Sequence, residues 1–279
     1  MDPQQPGRPP LDAATLATAP AWARVEVVAE AGSTNALVAA RAHDGAEHGL
    51  VLVAEHQTAG RGRLGRTWET PARAALTFSV LVRPDDLARA EASRSWRLLP
   101  LLTGTAVVAG IGDVGGPECG LKWPNDVLHA DLKLGGLLAE RVETPNGPAA
   151  VLGIGLNVST TRSELPVTTA TSLLLATGAA PERAALLVAV LGRLGERLAV
   201  WVAGRDAALL DEYRRRCTTV GMAVRVDLPG GDSLAGTAVR VAGDGALVLD
   251  VAGREVAVSA GDVIHVRAAS GPSGAGEVP

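Results

Sequence analysis

Aromatic side chains are nearly missing from this chain: 279 residues hold one Phe, one Tyr and five Trp. Ala, Val and Leu must therefore fill the interior. Cysteine is equally scarce. Cys119 and Cys217 stand far apart and form no C-x-x-C pair or zinc spacing, which leaves two free thiols and a reducing, cytoplasmic setting. No long apolar run exists. The most apolar stretch, residues 184–203, is broken by Arg193, Glu196 and Arg197, so it reads as a core helix and not a membrane span. The polar, Pro-rich start has no apolar segment of a secretory signal. Net charge is −4, which argues against nucleic acid as the main partner. No helix-turn-helix precedes the first strand-like run, because the first 20 residues are too few and too Pro-rich. The P-loop pattern, the G-x-S-x-G elbow and H-E-x-x-H are all absent, and the five histidines read as loop and surface residues.

Against this background one segment stands out. Gly60-Arg61-Gly62-Arg63-Leu64-Gly65-Arg66-Thr67-Trp68 packs three glycines, three arginines and a tryptophan into nine residues. Glycines let backbone approach a ligand, and guanidinium forks with free amides make an anion site. The segment also fits G-x-G-x-x-G after a strand, with Asp85 twenty residues beyond Gly65. A dinucleotide loop opens a helix at once, however, and a crossover needs a dozen or more residues. Here a Pro71-interrupted stretch leads straight to another strand-like run at residue 75, which disfavours that reading.

Strands and helices alternate along most of the chain. Residues 24–28, 50–55 and 75–82 read as strands, and Ser33 or Thr34 caps a helix reaching about residue 42. Pro100 marks the start of a helix through residue 108. Residues 120–123, 127–129, 135–142 and 151–157 read as four more strands, with Asn146-Gly147 as a hairpin turn between the last two. Helices follow from Pro181 and over residues 206–216, the first with Leu187, Val190, Leu191, Leu194 and Leu198 on one face. After Cys217, short Val-rich runs separated by glycine turns have the spacing of a small all-β barrel. The expected organisation is a flexible tail over residues 1–20, an α/β (α+β) catalytic domain over 21–217 on a mixed sheet, a β-barrel domain over 218–268 and a tail over 269–279.

Three further clusters offer chemistry. Lys122-Trp123-Pro124-Asn125-Asp126 presents oxygen ligands for a hard cation, though Pro-Asn-Asp is also common turn chemistry. Lys133-Leu134-Gly135-Gly136 sets a lysine beside paired glycines, where it meets a phosphate or carboxylate without crowding. Gly153-Ile154-Gly155-Leu156-Asn157 places glycines inside a buried strand, a sign of close approach. Ser33, Thr34, Asn35 and Gln57 add small hydrogen-bonding groups near strand ends.

In order and spacing these segments resemble the biotin protein ligase family over residues of about 24 to 175. The resemblance implies biotin and ATP as substrates with Mg²⁺, a biotinyl-5′-AMP intermediate, and transfer to one lysine of a carboxylase's biotin carboxyl carrier domain. It implies the ligase-only form, without DNA or membrane as a partner, as a monomer or weak homodimer. Carried onto these positions, it implies Arg63 and Lys133 as catalytic residues. It implies Ser33, Thr34, Asn35, Gln57, Gly60, Arg61, Gly62, Arg63, Trp123, Lys133, Gly136 and Gly155 around biotin. It places Arg63, Arg66, Trp68, Asn125, Asp126, Lys133 and Asn157 around ATP, with Asn125 and Asp126 on the metal. A lipoate or octanoate ligase and a non-catalytic biotin or nucleotide sensor are the alternatives.

Overall fold

A computed structural model describes residues 7–83 and 96–265. Two sheets organise them. The first has seven strands in the order β1-β2-β3-β7-β6-β5-β4. These are β1 (Arg24–Val28), β2 (Leu50–Ala54), β3 (Ala75–Val82), β4 (Gly120–Lys122), β5 (Asp126–His129), β6 (Leu132–Val142) and β7 (Ala149–Asn157). Only β1 and β2 run parallel, because the helix between them supplies a crossover; the other neighbours are antiparallel. Every residue of β2, β3 and β7 is buried, as expected of central strands covered on both faces.

The covering helices divide between the faces. α1 (Ala13–Leu16) is a single turn near the start of the described chain. α2 (Thr34–His43) closes a small core of Val38, Ala42, Leu50, Leu52, Leu81, Ala149 and Val151 on one face. On the other face, α3 (Leu98–Asp113) and α5 (Arg183–Val202) pack together, with α6 (Asp206–Arg216) beside them and the short α4 (Leu173–Thr177) in the connection after β7. The leucines expected to share a face of α5 are all buried, with Trp201 below them.

The second sheet is antiparallel, in the order β11-β10-β9-β8-β12. Its strands are β8 (Ala223–Asp227), β9 (Ser233–Val241), β10 (Leu247–Val251), β11 (Arg254–Val258) and β12 (Asp262–His265). The barrel expected here is not closed, since the end strands β11 and β12 do not pair among the described residues. β9 curls the sheet without closing it: its first half pairs with β8 and its second with β10, across an irregularity at Val248/Leu249. The hydrophobic core is continuous from α3 and α5 into this sheet through Leu247, Leu249 and Val263.

The stretch expected as a flexible N-terminal tail is docked where it is described. Leu11 is buried and its N–H donates to Glu55 Oε1 at 2.8 Å. Arg8 pairs with Glu164 at 2.6 Å and donates to the Ser159 carbonyl, while Arg183 donates to the Pro9 carbonyl and pairs with Glu55 at 2.6 Å. Composition hid this: a Pro-rich segment contributes few apolar groups, and here it is held by its polar ones. Residues 1–6, Asp85 and residues 266–279 lie outside the described residues.

Candidate active site

The site forms where the C-terminal ends of β2 and β7 and the middle of β6 meet the glycine–arginine loop. β2 runs out through Gln57 into residues 60–68, which fold back on themselves: Gly62 N–H donates to the Arg66 carbonyl at 2.7 Å and Trp68 N–H to the Gly60 carbonyl at 2.8 Å. A single 3-10 turn, Arg63–Gly65, lies between, with Leu64 at φ 55° and 58% exposed at its tip.

Beneath the loop is a small polar chamber. Ser33 caps α2, its Oγ accepting from Ala36 N–H. Thr34 donates through N–H and Oγ1 to Gln57 Oε1 at 2.8 and 3.1 Å. Asn35 Oδ1 accepts from Ser79 Oγ at 2.6 Å, and its Nδ2 donates to the Leu138 carbonyl at 3.1 Å and to Glu140 Oε2 at 2.7 Å. The two strand glycines are explained by these neighbours. A Cβ on Gly153 would stand 2.1 Å from Asn35 Oδ1, and one on Gly155 would stand 2.6 Å from the Trp68 ring. Ser33, Thr34, Asn35, Gln57, Arg61, Trp68 and Gly155 line one cavity of about 30 Å³, room for a water or two and no more. The Trp68 indole closes it, and its buried Nε1 has no hydrogen-bond partner among the described residues.

Trp68 links this chamber to the charged groups. It passes over Gly136, where a Cβ would lie 3.6 Å from the ring and 3.4 Å from Lys133 Nζ. Lys133 pairs with Asp126 at 2.7 Å, across β5 and β6. Its backbone is fixed to the loop after β7: its N–H donates to the Thr169 carbonyl, and its carbonyl accepts from Thr171 N–H. Arg63 Nη1 donates to Asn125 Oδ1 at 3.1 Å. Burial pushes the Arg63 guanidinium down from its ordinary value, against the opposing pull of Asp262 and Asp126. Arg66 is raised, chiefly by its hydrogen bond to Asp262 at the start of β12. The second sheet therefore brings a carboxylate to the site from 196 positions away in the chain.

Several expected residues also hold protein partners. Trp123 is buried at the junction of the sheets, its Nε1 donating to the Gly245 carbonyl at 3.0 Å and its N–H to Thr219 Oγ1. With Arg63 and Asn125 it lines a separate cleft of about 300 Å³. Asn157 Nδ2 donates to the Thr171 carbonyl at 2.9 Å, which fastens the loop carrying Lys133's backbone partners. Asn125 Oδ1 accepts from the Arg63 guanidinium and its Nδ2 donates to the Leu137 carbonyl, so both ends of the amide are held by protein groups and its oxygen faces positive charge. Asp126 remains as the one carboxylate of the expected pair. No group of three or more His, Cys, Asp or Glu side chains able to hold a metal occurs among the described residues. The donors present suit an ion that arrives already bound to phosphates, as Mg²⁺ does.

Two contributors escaped the sequence reading. Glu140 receives both Arg61 and Asn35. The period-two alternation of β6, which sets Gly136, Leu138 and Glu140 on one face, would have revealed it. Asp262 carried no such signal.

Comparison with known proteins follows the same residues. Residues 30–157 match the model of the Biotin/lipoate A/B protein ligase family. The chain is 45% identical over 269 residues to a biotin–[acetyl-CoA-carboxylase] ligase of Mycobacterium tuberculosis, covering 93% of this chain and 97% of that protein. It is 34% identical over 154 residues to the bifunctional ligase/repressor BirA of Bacillus subtilis, covering 54% of this chain and 46% of that protein. Among solved structures, a biotin protein ligase from Aquifex aeolicus in complex with biotin and ATP superposes with a TM-score of 0.74 at 27% identity, over 88% of this chain and 99% of that one.

Proposed function

This chain belongs to the biotin protein ligases of the Biotin/lipoate A/B protein ligase family, and on that premise we propose that it joins biotin to a protein lysine in two steps. In the first, a carboxylate oxygen of biotin attacks the α-phosphorus of ATP and the bond to the β-phosphate oxygen breaks. Biotinyl-5′-AMP and pyrophosphate result. In the second, a lysine amine of the acceptor attacks the acyl carbon, AMP leaves and the amine loses its proton. The acceptor in this reading is a carboxylase's biotin carboxyl carrier domain.

The observation that carries the proposal is the convergence of Arg63, Arg66 and Lys133 around Asp126, beside the Trp68 indole that closes the polar chamber. Both reactants of the first step are anions, so the barrier falls mainly by positioning and charge neutralisation. In this structure those cations rest on Asp126, Asp262 and Asn125. Substrate carboxylate and phosphates take over these partners. The ureido ring of biotin enters the chamber once Trp68 swings aside, and exchanges hydrogen bonds with Ser33, Thr34 and Gln57. Asp126, together with the phosphates, would hold Mg²⁺, and the ion would supply further charge neutralisation there. Residues 21–217 carry this chemistry, and residues 218–268 support it through Asp262 and the Trp123 junction.

Pyrophosphate release with ATP and either biotin, lipoate or octanoate tests the proposal. Release with biotin alone is expected. Release with lipoate or octanoate instead would reassign the substrate, and binding of biotin without release would make the protein a sensor.

A further inference from the structure

We propose that Glu140 is a positioning residue that latches the glycine–arginine loop to the chamber beneath it, so that loop closure and the orientation of Asn35 are one event. The proposal rests on the biotin reading of this site for its kinetic consequence. The two carboxylate oxygens of Glu140 are divided between two elements. Oε1 receives the Arg61 guanidinium from the loop, and Oε2 receives Asn35 Nδ2 from α2 at 2.7 Å. Asn35 passes the constraint on, since its Oδ1 accepts from Ser79 Oγ, which lies 2.8 Å from Thr34 Oγ1, and Thr34 holds Gln57. A continuous run of polar contacts thus links the loop to the groups that line the cavity.

The latch concerns the loop more than the fold. Arg61 is 48% exposed and Glu140 28%, and exposed ion pairs contribute little to folding stability. The loop, by contrast, has glycines at 60, 62 and 65, so a single charged anchor decides whether Arg61 lies over the cavity or in solvent. A glutamine cannot substitute: it has one acceptor oxygen, and its amide N–H groups would oppose one of the two donors.

Steady-state kinetics of wild type, Glu140→Gln, Arg61→Gln and the double variant test this. Each single change should raise the KM for biotin about tenfold, more than it alters kcat, as expected for losing hydrogen bonds to a charged group. The double variant should be no worse than the poorer single one, because both remove the same link. A Glu140→Gln KM near wild type, or two effects that multiply, would overturn the proposal. Should Glu140→Gln fail to fold, Arg61→Gln, on an exposed loop, carries the kinetic test. A ligand-free readout separates this proposal from the biotin reading. Trypsin should cleave after Arg61 and Arg63 faster in Glu140→Gln than in wild type, at an unchanged thermal midpoint, and equal rates would refute the latch. Wild-type protein that releases no pyrophosphate with biotin would defeat the functional reading while leaving this test standing.

Discussion

Lys133 and Gly155 show how single residues set the chemistry and its container. Lys133→Ala should lower biotinyl-adenylate formation by on the order of a hundredfold, the cost of removing one preorganised charge from the reacting anions. Its thermal midpoint should stay close to wild type, since the side chain is 36% exposed; pyrophosphate release and a melt check both. Gly155→Ala acts in the opposite sense. A methyl 2.6 Å from the Trp68 ring must push the indole out of its seat, and overpacking of this kind costs about 1–3 kcal/mol. Denaturant unfolding should show that loss, and calorimetric titration should show weakened biotin binding. At this scale much was legible. Glycines inside a buried strand announced a close approach, and the approach is there, although protein side chains make it. The roles of Asn35, Trp123, Asn125 and Asn157 were not legible in the same way, because an amide or indole that can serve a ligand can equally serve a backbone carbonyl, and each of these four meets one here.

At the scale of elements, the loop of residues 60–68 is held by two ion pairs, to Glu140 on β6 and to Asp262 on β12, besides the Arg63–Asn125 hydrogen bond. Asp262→Ala should free Arg66 and speed hydrogen exchange of amides 61–68 in the ligand-free protein; exchange as slow as wild type would show that the second sheet does not steady the loop. Strands β2, β3 and β7 were readable because their apolar runs are bounded by turn residues and fully buried, and β1 was readable from its valines although none of its residues is fully buried. The β5–β6 turn was not. Ala130 and Asp131 both adopt positive φ, at 46° and 62°, without the glycine or asparagine that usually signals it, so β6 begins earlier than its glycines suggested. The five-residue α4, too short to show a helical period, was also missed.

For the molecule as a whole, the second sheet and the first share a continuous core, and the junction carries a titratable group. Burial, then the nearby Lys122, hold His265 below its ordinary 6.5, while Asp131 opposes them. The unfolded chain therefore binds this proton first, so stability contributed by neutral His265 is full above about pH 6.5 and declines as pH falls toward the depressed value. Urea midpoints measured over that window should fall on acidification in wild type and fall less in His265→Gln. The barrel expectation failed at this scale for a physical reason: strand count and turn spacing follow from sequence, but closure depends on how β9 divides its pairing between β8 and β10. The central claim is that the site makes two anions react without a protein nucleophile. Incubation with biotin and α-phosphate-labelled ATP, without acceptor, followed by denaturing precipitation tests it most directly. The label should leave the protein as free biotinyl-5′-AMP. Label remaining covalently on the precipitated chain would contradict the account.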